Sequence, residues 1–340
     1  MSSRWQIAGL ALVAACNIPD VAFTKVSGDA SADAPGDGAL PGQQPPPQQL
    51  PSCLGLATAC GPADASDSCC ISPPVPGGSY YRSYDRGSDG AGGTTSAPAT
   101  VSGFRLDKYE VTVGRFRAFV NAGMGTQADP PAAGAGAHAR IPDSGWKTAW
   151  NTSLAANTAA LTAAIKCDAL FQTWTDTPAA NEHRPMNCVT WYEAMAFCAW
   201  DGGYLPTEAE WNYAATGGDE QRAYPWSTPP MSVAIDRAHA SYSDGTAIAV
   251  TDVGTWSAGD GRWGQSDLAG NVFEWVLDWG AAYTTPCTDC ANLAATSFRV
   301  FRSGAFDVDA ASQRTGSRGG NDPSARVHFG DVGVRCARTP

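Results

Sequence analysis

Cysteines are the residues of this sequence with the widest chemistry, because a thiolate can bind a metal, attack a substrate or form a disulfide. The 340-residue chain contains eleven of them. Cys53, Cys60, Cys69 and Cys70 lie close together, and four such thiols could hold zinc. Cys69 and Cys70 are adjacent, however, which is poor spacing for a zinc finger. Two local disulfides are therefore the favoured interpretation.

Cys287-Thr-Asp-Cys290 is a CxxC motif, which in a cytosolic protein can act as a dithiol redox pair. So many cysteines in a chain of this size indicate an oxidising compartment. In that setting, and in a loop that follows the core strands, we expect a local structural disulfide between Cys287 and Cys290. Dithiol redox chemistry is the alternative interpretation.

The N-terminus also indicates export. Arg4 precedes an apolar run at residues 7–15, which is too short to span a bilayer as a mature helix. The run ends in Leu12-Val-Ala-Ala-Cys16, similar to a bacterial lipobox, in which small residues admit the signal peptidase and the cysteine receives the lipid. We expect cleavage of residues 1–15 and lipidation of Cys16, with an ordinary secretory signal as the alternative. Without Cys16 an even number of cysteines remains, as complete pairing requires.

The segment after Cys16 would separate the domain from the membrane. Residues 16–52 are rich in Ala, Asp, Gly, Pro and Gln and offer little to bury, so we expect a disordered tether. Asn17 differs from the aspartate that retains lipoproteins at the inner membrane of enteric bacteria. The expected location is therefore the cell envelope, with the outer membrane favoured. A Cys-rich segment at 53–74 and a domain at 75–340 complete the chain.

Charge argues against one class of partner. The net charge is −11 and only 16% of residues are charged, so we expect no nucleic-acid binding. A small basic cluster could still bind an anionic group of a ligand or peptide. Its members are Arg314, Arg318, Arg326 and His328. Alternatively, the cluster could neutralise the aspartates around it. These are Asp307, Asp309, Asp322 and Asp331.

The elements that must position these residues are short. Thr190–Glu193 and Thr207–Glu210 have the capping-box pattern that starts a helix, and Thr112 caps a further helix. We also predict a weak helix at 153–166 and short strands at 104–110, 270–275, 299–306 and 332–336. This pattern indicates an α+β protein with little regular secondary structure.

Several motifs together resemble the sulfatase-modifying-factor family, whose best-known member is the formylglycine-generating enzyme. The most specific are Leu205-Pro-Thr-Glu-Ala-Glu-Trp211, Gly270-Asn-Val-Phe-Glu-Trp275 and Gly333-Val-Arg-Cys336. The resemblance covers about residues 75–338 and implies a C-type-lectin-like α+β fold with a twisted sheet, long loops and disulfides. It also implies a disulfide between Cys198 and Cys336, which leaves Cys167 and Cys188 as a further pair.

The resemblance also implies a calcium site. Asp267, Gly270, Val272 and Glu274 match the positions of the family's ligands. Two carboxylates and two backbone carbonyls would supply the hard oxygen donors that calcium prefers. The family has an amide at the position of Asp267, so the aspartate adds negative charge. The alternative is that Glu274 only hydrogen-bonds nearby backbone.

One departure from the family concerns its catalytic metal. The formylglycine-generating enzyme activates oxygen with copper held by two cysteines five residues apart, and thiolates suit Cu(I) because both are soft. This chain has no cysteine between Cys290 and Cys336. Two alignments place the copper positions at Ala305 and Ala310, or at Val308 and Gln313. We therefore expect neither copper binding nor cysteine oxidation by the family mechanism.

The function that we expect is that of a calcium-stabilised binding or structural module, anchored to the membrane by its lipid. Its partner would be a peptide, a protein or a glycan of the envelope. One alternative is an oxidase of the formylglycine-generating type that acts on a sulfatase cysteine. Another is a nonheme-metal enzyme with altered chemistry, although the histidines have no metal-ligand spacing. They are His138, His183, His239 and His328.

Overall fold

The computed structural model describes residues 50–56, 59–62, 67–84, 95, 97–245, 249–326 and 330–340. The expected signal peptide, Cys16, nearly all of the expected tether and His328 therefore lie outside the described residues. Residues Gln48–Pro340 form one compact unit. Within the described ranges, no helix has the length and apolar character needed to cross a membrane.

The regular elements are short, as the sequence predicted. The helices are α1 (Val113–Asn121), α2 (Thr158–Ala164), α3 (Trp191–Trp200) and α4 (Glu208–Ala215). The strands are β1 (Ala59–Cys60), β2 (Asp67–Ser68), β3 (Pro74–Val75), β4 (Gly78–Tyr81), β5 (Pro98–Val101), β6 (Phe104–Leu106), β7 (Phe273–Trp279), β8 (Arg299–Arg302), β9 (Gly319–Asn321), β10 (Val332–Val334) and β11 (Ala337–Arg338).

The largest sheet has the strand order β10-β7-β8-β9. Strand β10 is parallel to β7, whereas the β7–β8 and β8–β9 pairs are antiparallel. Smaller sheets have the orders β11-β6-β3, β4-β5 and β1-β2. Most residues of β7 and all residues of β8 are buried, so the centre of the large sheet lies inside the domain. The α+β class predicted from the sequence is confirmed.

Both predicted capping boxes are present. In α3 the Thr190 side chain accepts from the Glu193 amide, and the Glu193 carboxylate accepts from the Thr190 amide. Thr207 and Glu210 make the same reciprocal pair at the start of α4. These bonds satisfy amides that a helix start would otherwise leave unpaired. The predicted Thr112 cap of α1 is also confirmed.

Helix α3 is the central element of the largest hydrophobic core. Its residues 191–198 are all buried, so the helix has no solvent-facing polar stripe over that length. Trp191 packs in this core together with Trp275 of β7 and Phe116 and Phe119 of α1. Aromatic residues contribute large buried areas, which explains how short elements can enclose a stable core.

The packed part of the chain begins before residue 53, where the sequence predicted the tether to end. Pro51–Cys53 is a short 3-10 helix in which Ser52 is buried. The Ser52 amide donates to Asp201 at 2.9 Å, and its hydroxyl accepts from Arg115 at 3.0 Å. The tether boundary at 52 was therefore wrong, because composition does not show that Ser52 completes a buried polar network.

Other predicted boundaries also differ from the structure, and two of these differences have a local cause. The weak helix expected at 153–166 is limited to α2, because the Asn157 side chain caps its start, and a separate 3-10 helix at Thr148–Ser153 precedes it. The strand expected at 299–306 ends at Arg302. Ser303 follows with a φ of 73°, a left-handed conformation that interrupts the extended backbone.

Candidate functional site

All ten cysteines of the described part of the chain are in disulfides. The pairs are Cys53–Cys70, Cys60–Cys69, Cys167–Cys188, Cys198–Cys336 and Cys287–Cys290. The last three are the pairs that the sequence and the family resemblance led us to expect. The four-cysteine group near the start forms two local disulfides and holds no zinc with its sulfurs. Within the described ranges, no free thiol is therefore available for Cu(I).

Residues 303–315, called the site segment below, contain both alternative pairs of copper positions. Ala305 is fully buried, and the Gln313 side-chain amide donates to the carbonyls of Ala305 and Val308 at 3.0 and 3.1 Å. The Ala310 carbonyl accepts from a tyrosine hydroxyl at 2.7 Å. Methyl, isopropyl and amide groups thus occupy all four positions. None of these groups is a soft metal ligand.

The site segment is held against α4 and the loop that follows it. The Thr315 hydroxyl donates to the Arg222 carbonyl at 2.6 Å, and the Thr315 carbonyl accepts from the Asn212 side chain at 2.8 Å. Tyr224 provides the hydroxyl that bonds the Ala310 carbonyl. Side chains of α4 and its loop therefore fix the path of the segment through its backbone atoms.

The expected basic cluster does not form a single site. Arg318 donates two hydrogen bonds to Glu208 at 2.6 and 2.8 Å, whereas Arg326 pairs with Glu193. The two glutamates belong to the first turns of α4 and α3, so the arginines serve different helices. His328 lies outside the described residues. The expectation of one anion-binding cluster is therefore wrong for Arg318 and Arg326, because each already binds a buried carboxylate.

The alternative expectation, that these arginines neutralise nearby aspartates, also fails for two of the aspartates. Asp307 and Asp331 each have a buried carboxylate oxygen with no hydrogen-bond partner in the described part of the chain. Burial, together with Asp307, raises the pKa of Asp331 to about 7. Burial also raises the pKa of Asp307. Arg314, the remaining arginine of the set, lies within the site segment.

Glu274, an expected calcium ligand, is fully buried on β7. Arg335 donates to both of its oxygens at distances from 2.7 to 3.1 Å. The Trp211 indole nitrogen donates to the same carboxylate at 2.6 Å. Such paired N–H···O bonds are among the stronger hydrogen bonds in proteins. The idea that Glu274 only bonds nearby backbone was wrong, because these partners are side chains from other elements.

Asp267 and Glu110 add two more buried carboxylates beside this ion pair. Asp267 has a φ of 60°, which aspartate tolerates better than most residues, and it accepts from the Gly254 amide at 2.5 Å. Burial raises the pKa of Asp267 to about 6, although this amide opposes the change. Burial, Asp267 and Glu274 raise the pKa of Glu110 well above its usual value. One guanidinium therefore faces three buried carboxylates.

This excess of negative charge is the feature that fits a cation. A bound divalent ion would compensate it, and carboxylates with backbone carbonyls are suitable donors for calcium. Among the described residues, no three His, Cys, Asp or Glu side chains surround a common metal position. The expected set contains two such side chains, Asp267 and Glu274, and two backbone carbonyls. Calcium stays a prediction here.

Glu110 and Arg335 were not predicted as members of this cluster. A signal for Glu110 exists in the sequence, because it stands between Tyr109 and Val111, which are both buried. A charged residue within such an apolar run is rarely buried unless it is paired. The sequence does not reveal the partner, since Arg335 reaches the cluster only through the fold.

The structure thus defines a disulfide-stabilised α+β domain whose site segment contains no thiol. A family model for the "Sulfatase-modifying factor enzyme 1-like domain" matches residues 68–340. The chain belongs to this family. The match begins slightly before residue 75, where we placed the domain boundary, and so includes part of the Cys-rich segment.

Two relatives illustrate the similarity. The chain is 31% identical over 170 residues to the formylglycine-generating enzyme of Streptomyces coelicolor, covering 46% of this chain and 52% of that enzyme. It is 29% identical over 275 residues to that of Thermomonospora curvata, covering 71% and 83%. The chain therefore spans about half the length of the first relative. The structure of PvdO from Pseudomonas aeruginosa matches 78% of this chain and 93% of its own, with a TM-score of 0.52 and 20% identity, which shows the fold alone.

Proposed function

We propose that this protein is an exported lipoprotein whose domain serves as a binding or structural module and does not oxidise a sulfatase cysteine with copper. The observation that carries this proposal is the site segment, which offers Ala305, Val308, Ala310 and Gln313 where the family needs two thiolates. Every cysteine in the described ranges is also in a disulfide. Cu(I) binding requires soft ligands, and these side chains supply none.

The ligand in this proposal is a peptide, a protein or a glycan of the cell envelope. The lipobox-like sequence at Cys16 supports attachment to a membrane, with the outer membrane favoured. The Pro-rich composition that follows supports a spacer between the membrane and the domain. A screen of peptides and glycans by thermal stability would find such a ligand, because binding to the native state raises the unfolding midpoint.

Copper chemistry is tested with the purified mature protein. We expect no stoichiometric copper, and no oxidation of a peptide that contains the sulfatase motif Cys-x-Pro-x-Arg. The matched variants restore a thiol pair in either alignment: Ala305→Cys with Ala310→Cys, and Val308→Cys with Gln313→Cys. Copper binding by one variant alone would identify the correct alignment. Tight copper binding or peptide oxidation by the unaltered chain would refute the proposal.

Calcium is proposed as a structural ion of this domain. The Asp267 and Glu274 side chains and the Gly270 and Val272 carbonyls would hold it beside the third buried carboxylate, Glu110. Calcium should then raise the thermal midpoint of the purified protein relative to a chelator, and Asp267→Ala should abolish the difference. Asp322→Ala is the matched control, because Asp322 is exposed. The same midpoint with calcium and with chelator would contradict the site.

A further inference from the structure

The CxxC disulfide borders a cavity of about 200 Å³ that is separate from the site segment. Cys290 is half-buried and lines this cavity. Cys287 is buried and does not belong to the lining. Of the two cysteines, only Cys290 therefore borders the cavity. This asymmetry is a requirement for directed thiol–disulfide exchange, in which one particular sulfur is attacked.

A fixed positive charge lies beside the accessible sulfur. The Arg82 Nη1 atom is 3.5 Å from the Cys290 sulfur. Arg82 is only 6% exposed, donates to the Thr284 carbonyl at 2.6 Å, and has its guanidinium 4.5 Å from the Tyr283 ring centre. These contacts hold the guanidinium in place before any reaction. A cation next to a cysteine sulfur stabilises the thiolate and lowers the thiol pKa.

The other charged groups of the cavity do not cancel this effect. The Glu208 carboxylate is already bound by Arg302 and Arg318. The Asp278 carboxylate accepts from the amides of Glu208 and Asn292, each at 2.7 Å. Burial, with Glu208, raises the pKa of Asp278 to about 7, so this group is largely neutral below that pH. The Asp289 carboxylate, next to Cys290 in the chain, accepts from the Ser102 amide and hydroxyl at 2.6 and 2.7 Å. Arg82 is the charged group that contacts the Cys290 sulfur.

We propose that Cys287–Cys290 is an exchange-competent disulfide that accepts two electrons from a peptide or protein dithiol. One thiolate of the dithiol attacks the Cys290 sulfur, the Cys287–Cys290 bond breaks, and the Cys287 sulfur leaves with the electron pair and takes a proton from water. The second thiolate of the partner then attacks the mixed disulfide, and Cys290 leaves as a thiolate beside Arg82. The partner becomes a disulfide and the CxxC pair becomes two thiols. This activity is independent of the proposed binding function.

Differential reduction of the folded, full mature protein tests this assignment. The protein is equilibrated in glutathione buffers of increasing reducing strength, and the free thiols are alkylated and assigned by mass spectrometry. We expect Cys287–Cys290 to be reduced while Cys167–Cys188 and the fully buried Cys198–Cys336 remain oxidised. Reduction of Cys167–Cys188 in the same or a less reducing buffer would overturn the proposal, because Cys167 is more exposed than Cys290 but has no such cavity and cation beside it.

A second measurement isolates the role of Arg82. In Cys287→Ser the single Cys290 thiol is titrated by its alkylation rate against pH. We expect its pKa to be at least about one unit below the ordinary value of about 8.5. Arg82→Gln should remove that shift, Arg82→Lys should keep most of it, and Arg105→Gln is the distant control. An ordinary Cys290 pKa in Cys287→Ser would overturn the proposal whether or not Arg82→Gln folds.

Discussion

Two neighbouring regions of this domain differ in how completely their buried polar side chains are hydrogen-bonded. In residues 188–226, called the capped segment, Glu193 closes a capping box and also pairs with Arg326, and Glu210 closes another and bonds Tyr204. In the site segment, Asp307 and Gln313 each keep a buried oxygen without a hydrogen-bond partner. In the capped segment, whose residues are all described, no buried side-chain nitrogen or oxygen lacks a hydrogen-bond partner.

This difference separates the residues that identify the fold from those that would decide an activity. The capped segment has the most recognisable motifs, and the structure uses its glutamates and tryptophans for helix caps, ion pairs and core packing. Substitutions there should cost stability. The site segment contains no cysteine and has unsatisfied buried groups. Replacing those unsatisfied groups by apolar ones should cost little stability or even increase it.

The largest loss of stability should follow from removing the disulfide that joins the capped segment to the last strands. Cys198–Cys336 closes a loop with a sequence separation of 138 residues, whereas Cys287–Cys290 has a separation of 3. The chain-entropy model predicts losses of about 5 and about 2 kcal/mol, respectively, when each pair is replaced by alanines. Denaturant unfolding without reductant measures both. Equal losses would show that local packing, and not loop closure, sets the contribution of each disulfide.

The next largest loss of stability should follow from breaking the buried ion pair of Glu274 with Arg335. Arg335→Met leaves Glu274, Glu110 and Asp267 without their shared guanidinium, and breaking a buried pair on one side costs about 3–5 kcal/mol. The matched control is Arg140→Met, because the Arg140 side chain is 46% exposed and lies 3.7 Å from its partner. Its effect should stay within about 0.5 kcal/mol. A loss for Arg335→Met no larger than the control would mean that the carboxylates are neutralised by other means.

The same contrast explains how far the sequence could predict the structure. The capping boxes of α3 and α4 depend on residues three positions apart, so a local pattern was sufficient for them. The pairs of Arg318 with Glu208 and Arg326 with Glu193 join distant segments, and charge spacing alone suggested a different grouping. The Cys198–Cys336 pair was expected only because the motifs resembled a known family. Long-range polar pairing therefore required the fold, while helix starts did not.

The candidate site shows the same limit. Sequence spacing was enough to establish that the site segment has no thiol pair. It could not show that Gln313 folds back on the Ala305 and Val308 carbonyls, because that contact depends on the turn of the loop. It also missed Glu110, although its place between two apolar residues was a signal, and it could not identify Arg335 as the partner, which requires the fold.

The pH dependence of folding stability should show an effect of intermediate size at a buried aspartate. Asp331 is 9% exposed and has a folded-state pKa of about 7, whereas an unfolded aspartate has a pKa of about 3.9. The folded state therefore holds more protons between these values, so stability should fall as pH rises from about 4 to about 7. Asp331→Asn should remove this loss and be more stable than wild type at pH 8 by on the order of 4 kcal/mol, since each pKa unit corresponds to about 1.36 kcal/mol.

Thermal midpoints from pH 4 to pH 8 measure this effect, with Asp322→Asn as the control because Asp322 is exposed. The wild-type and Asp331→Asn midpoints should converge near pH 4, where the folded-state carboxyl of Asp331 is protonated. Parallel curves across the whole range would mean that Asp331 ionises normally in the folded protein. An equal flattening in the control would mean that the pH dependence arises from the overall negative charge.

The smallest effect should come from a single helix cap in the capped segment. Thr207→Ala removes the hydroxyl that accepts from the Glu210 amide at 3.0 Å, and loss of such a cap costs about 1 kcal/mol. Thr162→Ala is the same substitution within α2, where the hydroxyl donates only to the Ala159 carbonyl three residues earlier. That change should be neutral or slightly stabilising, because alanine has the higher helix propensity. Equal effects in urea unfolding would show that the Thr207 hydroxyl contributes no more than an ordinary helix position, and the capped segment would then depend on its core packing alone.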